Sequence, residues 1–168
     1  MTKLKIRKYG EPILRKKTNI IPEVNEDIKR FVCDMLETMY AYSGVGLAAS
    51  QVGVLVRLCV IDVSQDQKSP IFMINPKIIS GRDRVFAIEG CLSLPGFYEN
   101  VKRLDKVIAE YTNIEGKKKE IRAEGILAKV IQHEVDHLDA KIFIDYLPEW
   151  KRKTIEKEIK RKKKMDMW

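Results

Sequence analysis

The segment His133-Glu134-Val135-Asp136-His137 constrains this chain more than any other, because it holds both of the protein's histidines. On a helix, residues four apart share a face with Cβ atoms about 5–6 Å apart, so two imidazoles can meet one ion. At about 100° per residue, Ile126, Val130, His133 and His137 fall on one narrow face. Leu127, Ile131, Glu134 and Leu138 lie on its shoulder, and Lys129, Gln132 and Asp136 on another side. The helix is therefore expected to be mostly buried, and a dry site strengthens electrostatics around a bound ion. The plain alternative is an ordinary helix whose two histidines are satisfied by hydrogen bonds.

Two histidines do not complete a hydrolytic metal site, which takes three protein ligands and one open position. A third histidine at the metzincin position is excluded, since Ala140 and Phe143 stand where Gly and His are needed. Glu156 or Glu158 has the spacing of a thermolysin-like ligand but sits in a Lys-rich stretch. Cys91 is the better candidate. A thiolate binds divalent transition metals well, and Gly90 lets the backbone come close. Pro95-Gly96 is expected to turn the chain just beyond. Cys33 and Cys59 read as structural. Three cysteines, an odd and sparse count, argue against a disulfide framework.

The 168 residues fit one domain. Asn25 can cap a helix whose Ile28, Phe31, Val32, Met35 and Met39 make an apolar face, ending near Gly44. Residues 44–53 read as a Gly-rich loop. Strands are expected over 56–63, 71–75 and 85–88. Residues 107–112 and 119–122 flank a hairpin turn at 113–116. A helix follows Gly125 and runs through His137, and Pro148 opens a last helix. The fold class is α+β: one domain of mixed or antiparallel strands around the buried helix, with N-terminal and C-terminal helices. Residues 1–147 form the catalytic domain and 148–168 a basic helical appendage. No secretory h-region or run of about 18 apolar residues is present, so a soluble, cytoplasmic protein is expected.

Three segments, taken together, resemble the peptide deformylase family: GVGLAASQ at 44–51, EGCLS at 89–93 and QHEVDHL at 132–138. The order and spacing are the family's, and the likeness covers the whole chain. The resemblance implies a metal-dependent amide hydrolase that removes the N-terminal formyl group from formyl-methionyl nascent polypeptides. It implies Cys91, His133 and His137 as metal ligands with water in the fourth position. Glu134 would serve as general base and then general acid. Gln51 and the backbone N–H of Leu92 would hold the oxyanion. Gly46 would contact the substrate backbone, and Glu89, beside Gly90, would anchor the loop around the metal. Val45, Ile88, Ile126 and Val130 are expected walls of an apolar methionine pocket, with core packing the alternative for each. Two imidazoles and a thiolate suit zinc on ligand grounds. The resemblance instead implies ferrous iron, Fe2+, with zinc, nickel or cobalt able to substitute.

Two smaller expectations concern charge. Asp136 points away from the metal face and should pair with a basic residue such as Arg103. The net charge of +8 is concentrated in residues 148–168, which carry +5. There Trp150, Ile155 and Ile159 make a thin apolar stripe on a helix that either simply solubilises the protein or docks on the ribosome. Phosphate contacts would make such docking salt-sensitive. The protein is expected to be a monomer. A thermolysin-like protease and a non-catalytic ribosome binder stand as the competing functions.

Overall fold

A computed structural model describes residues 3–168. Asn25 opens α1 (Glu26–Ala41): its side-chain oxygen accepts the Ile28 N–H at 3.0 Å, and Glu26 and Asp27 occupy the electropositive first turn. Val32, Met35 and Met39 of this helix are fully buried. The helix ends at Ala41, and the Gly44 N–H returns to the Met39 carbonyl at 2.9 Å.

Five strands form one sheet in chain order: β1 (Gly46–Ala48), β2 (Leu58–Ile61), β3 (Ile71–Cys91), β4 (Leu94–Thr112) and β5 (Lys118–Glu124). Every ladder is antiparallel, with one isolated parallel bridge from Asn19 to Val56 among the described residues. All four residues of β2 are buried because the strand is covered on both faces. Leu58 and Val60 join Leu47 and the α1 methionines in one core, while Cys59 and Ile61 join Ala48 and the HExxH helix in another.

Three local expectations change. The loop over 44–53 is in fact β1 followed by a 3-10 turn, Ala49–Val52, because Gly46–Ala48 pair with Cys59–Ile61. Residues 71–75 and 85–88 belong to one strand of 21 residues. The exposed polar run between them, Ser80–Arg84, carries no apolar alternation, but it pairs in continuous register with Leu104–Ile108 of β4, the strand's register shifts falling before and after it. Pro95-Gly96 lies inside β4; the chain reverses at Leu92-Ser93, where Cys91 pairs with Leu94.

The HExxH helix is α2 (Gly125–Leu138). Its polar side does not face open water; it is stitched to β4. Lys129 pairs with Asp105 at 3.1 Å, Gln132 bonds both backbone groups of Leu104 at 3.0 and 2.7 Å, and Asp136 meets Arg103 at 2.6 Å. Ile131 and Leu138 fill the core opposite, each worth about 1.5–3 kcal/mol of burial. The last helix, α3 (Glu149–Lys164), is docked rather than free. Ile155 and Ile159 pack with Leu94, Phe97, Val101 and Phe143, while Trp150 stays 67% exposed.

Candidate metal centre

Two elements bring the ligand candidates together: the end of the β3–β4 hairpin and the C-terminal half of α2. Cys91 Sγ lies 3.2 Å from His137 Nε2. Cys91, His133 and His137 offer ligand atoms that all fall within 4.8 Å of one another. An ion about 2.1 Å from nitrogen and about 2.3 Å from sulfur joins ligands up to about 4.4 Å apart; Cys91 and His137 lie inside that span, and the three together come close to it. No other group of this kind occurs among the described residues. Glu156 is engaged by the Tyr9 hydroxyl at 2.9 Å, and Glu158 faces Lys162 at 3.9 Å.

The buried polar atoms around this cluster also fit a cation. Glu134 Oε2 is buried without a hydrogen-bond partner, and His137 turns Nε2, not its unpartnered Nδ1, toward the cluster. His133 Nδ1 donates to Glu89 Oε2 at 2.9 Å, which turns its other nitrogen toward the cluster. Burial opposes charge on His133, yet Cys91 and Glu89 outweigh it and raise its pKa. Burial, reinforced by the neighbouring His133, depresses that of His137. A divalent ion held among these groups answers the same electrostatic demand.

Glu134 and Glu89 are two carboxyls in contrasting environments. Burial pushes the Glu134 pKa up to about 7. Burial pushes Glu89 the same way, but hydrogen bonds from His133 and Arg103 overcome it and bring the value down to about 2. One group can therefore exchange protons near neutrality while the other stays a fixed anion.

Gln51 sits on the 3-10 turn after β1, fully buried. Its Oε1 accepts the Ala48 N–H at 2.9 Å, which orients the carboxamide. Its Nε2 then donates to Ser93 Oγ at 3.2 Å and lies 3.4 Å from Cys91 Sγ. The N-terminal segment braces this arrangement through Arg7 N–H to the Gln51 carbonyl at 2.7 Å and Tyr9 N–H to the Ser93 carbonyl at 2.8 Å. Gly46 lies against Glu134 and Val130, with no room for a side chain. Gly44 is closed off by the Leu92 side chain and Gly90 by the Tyr98 ring.

The expected apolar walls are not alike. Val130 is buried one turn before Glu134. Val45 and Ile126 are 44% and 59% exposed beside Gly46 and on the histidine face of α2. Ile88 is 74% exposed. Strand alternation sets it on the face of β3 opposite Glu89, with Ala87 on the Glu89 side. The sequence offered no sign of Tyr146 or of the Ser93 hydroxyl's part in holding Gln51. Gln132 stood in the QHEVDHL segment, but its bonds to the Leu104 backbone could not be read from it.

Residues 3–153 match the family model described as polypeptide deformylase. The peptide deformylase of Endomicrobium trichonymphae is 62% identical over 168 residues, 100% of each chain. That of Thermodesulfovibrio yellowstonii is 45% identical over 165 residues, 97% of this chain and 100% of the relative. A crystal structure of a peptide deformylase from Legionella pneumophila superposes with a TM-score of 0.93 at 39% identity, covering 98% of both chains. The Ehrlichia chaffeensis enzyme in complex with actinonin gives 0.92 at 36% identity, covering 96% of this chain and 98% of that one.

Proposed function

Because the chain belongs to the peptide deformylase family, hydrolases of N-formyl peptides, we propose that Cys91, His133 and His137 hold its catalytic ion and that Glu134 moves the protons of the reaction. The observation that carries this is the convergence of the three ligand atoms on the helix that also bears Glu134. A divalent transition ion bound there supplies a Lewis acid that polarises a carbonyl and acidifies water.

The remaining work falls to side chains and backbone. Glu134 takes a proton from the attacking water and returns it to the amine that leaves the formyl carbon, so formamide and water become formate and a free N-terminus. A carboxyl poised near neutrality by burial can do both. Gln51 Nε2 and the Leu92 N–H meet the charge that grows on the formyl oxygen, each such donor being worth about 2.7–4 kcal/mol of barrier. Gly46 and Gly90 present backbone to the substrate, and Val45, Ile126 and Val130 receive the methionine side chain; Ile88, exposed on the opposite face of β3, takes no part. Glu89 anchors His133.

We assign ferrous iron as the working ion, with zinc, nickel or cobalt able to replace it, since imidazole and thiolate donors suit them all. An assay on formyl-Met-Ala-Ser with anaerobic metal analysis of the same sample tests both claims. Turnover that tracks bound iron is expected; metal-loaded protein with no turnover would defeat the reading.

No helix among the described residues is long and apolar enough to cross a membrane, and we place the enzyme in the cytoplasm with nascent chains, acting as a monomer. Residues 1–147 then form the catalytic domain and 148–168 the basic appendage. Ribosome contact through α3 is favoured by its packing. Ile155 and Ile159 turn inward, and Lys153, Lys157, Lys160, Arg161 and Lys164 are left exposed.

A further inference from the structure

Behind His133 its anchor Glu89 is itself held by polar groups that the proposed reaction does not use. Arg103 grips both oxygens of Glu89, Nε to Oε1 at 2.5 Å and Nη2 to Oε2 at 3.0 Å. Its third nitrogen, Nη1, reaches Asp136 Oδ2 at 2.6 Å. The other oxygen of Asp136 accepts the Tyr146 hydroxyl at 2.9 Å, and the Tyr146 ring lies 4.7 Å from the Arg103 guanidinium carbon. The four residues come from β3, β4, α2 and the 3-10 turn Phe143–Tyr146.

We propose that Arg103, Asp136 and Tyr146 are positioning residues for the metal ligand His133, acting through Glu89. A planar guanidinium that uses all three nitrogens fixes the plane of the Glu89 carboxylate, which a lysine ammonium cannot do. A fixed carboxylate holds the His133 N–H and so fixes the tautomer and direction of the imidazole. The clamp also joins the two ligand-bearing elements. Glu89 is two residues from Cys91 on the hairpin, and Asp136 is one residue from His137 on the helix. Arg103 bonded to both sets how the thiol and the imidazoles face one another. This inference rests on the reading of Cys91, His133 and His137 as ligands.

The test loads the full-length protein with Co2+ and records its visible spectrum and its release of cobalt to a chelator at fixed pH. Thermal unfolding of the metal-free forms is followed in parallel. Arg103→Lys and Asp136→Asn are expected to release cobalt about 10–100-fold faster, the usual scale for outer partners of a ligand, with shifted bands. Tyr146→Phe keeps the ring over the guanidinium and is expected to show a smaller change in the same direction. Wild-type spectrum and release in every variant that folds overturns the proposal. Should the two charge variants fail to fold, unchanged release from Tyr146→Phe overturns it alone. Cys91→Ala separates the two levels: loss of cobalt there keeps the ligand reading, whereas a wild-type cobalt spectrum brings down that reading and this proposal together.

Discussion

The Cα of Gly46 rests against the carboxylate of Glu134: a methyl group at 46 would overlap Oε1 and come within 2.8 Å of Val130 Cγ1. The carboxylate proposed to move the protons is therefore walled by backbone on one side, and its position depends on the absence of a side chain there. Gly46→Ala should displace it and lower kcat on formyl-Met-Ala-Ser by about 100-fold, the scale of a 1 Å misplacement. Bound metal should be retained. Steady-state kinetics with metal analysis checks this; unchanged kcat would show that the contact is incidental.

Glu134→Gln keeps the shape and removes the proton acceptor. Turnover should fall by about 10²–10⁴-fold while metal content stays at the wild-type level. Near-normal turnover in this variant would remove Glu134 from its assigned role.

Cys91→Ala should leave two imidazoles and lose the ion on gel filtration, whereas Glu156→Ala and Glu158→Ala should keep it. Metal analysis of the three purified proteins decides between a thiolate and a carboxylate as third ligand.

Asp145 gives a pH dependence with a definite sign. Burial favours its neutral form, but Arg15 and the Ile142 N–H outweigh that and hold its pKa below the ordinary 3.8. A depressed folded pKa contributes stability that is complete above about 3.8 and is lost as pH falls through the folded value. The pair is partly solvated, so the contribution is about 1 kcal/mol. Asp145→Asn should lower stability by about that amount at pH 7 and flatten the acid limb of a urea-unfolding series. An acid limb identical to wild type would contradict this.

Reversing charge at Lys153, Lys160 and Lys164 should leave turnover of formyl-Met-Ala-Ser within two-fold, since none packs on the core, roughly the scale of an ordinary surface change. Co-sedimentation with ribosomes should weaken, and its salt dependence should become shallower. Deleting α3 is a poorer test, because it also strips Ile155 and Ile159 from a buried cluster. Binding unaltered by charge reversal would leave the tail a solubilising helix.

Much of the centre was legible in the chain itself, for reasons that differ by residue. Asn25, the helix after Gly125 and the 113–116 turn are local signals and appear as expected. β3 was hidden because its middle is polar on both faces and is held by backbone pairing with β4 and an exposed Asp83–Lys106 ion pair rather than by an apolar face. The α3 stripe gave no hint of depth, since Ile155 and Trp150 look alike in sequence yet one is buried and the other exposed.

What the sequence determined alone is the pairing of His133 with His137, because helical periodicity puts residues four apart on one face whatever surrounds them. The tertiary structure decided which third group lies beside them. Cys91 and His137 are 46 positions apart, and only the register of the β3–β4 hairpin against α2 brings sulfur to imidazole. The same register decided that Arg103 binds Glu89 and Asp136 together. Local spacing says nothing of such contacts, since they depend on how two distant elements are aligned by packing and backbone pairing.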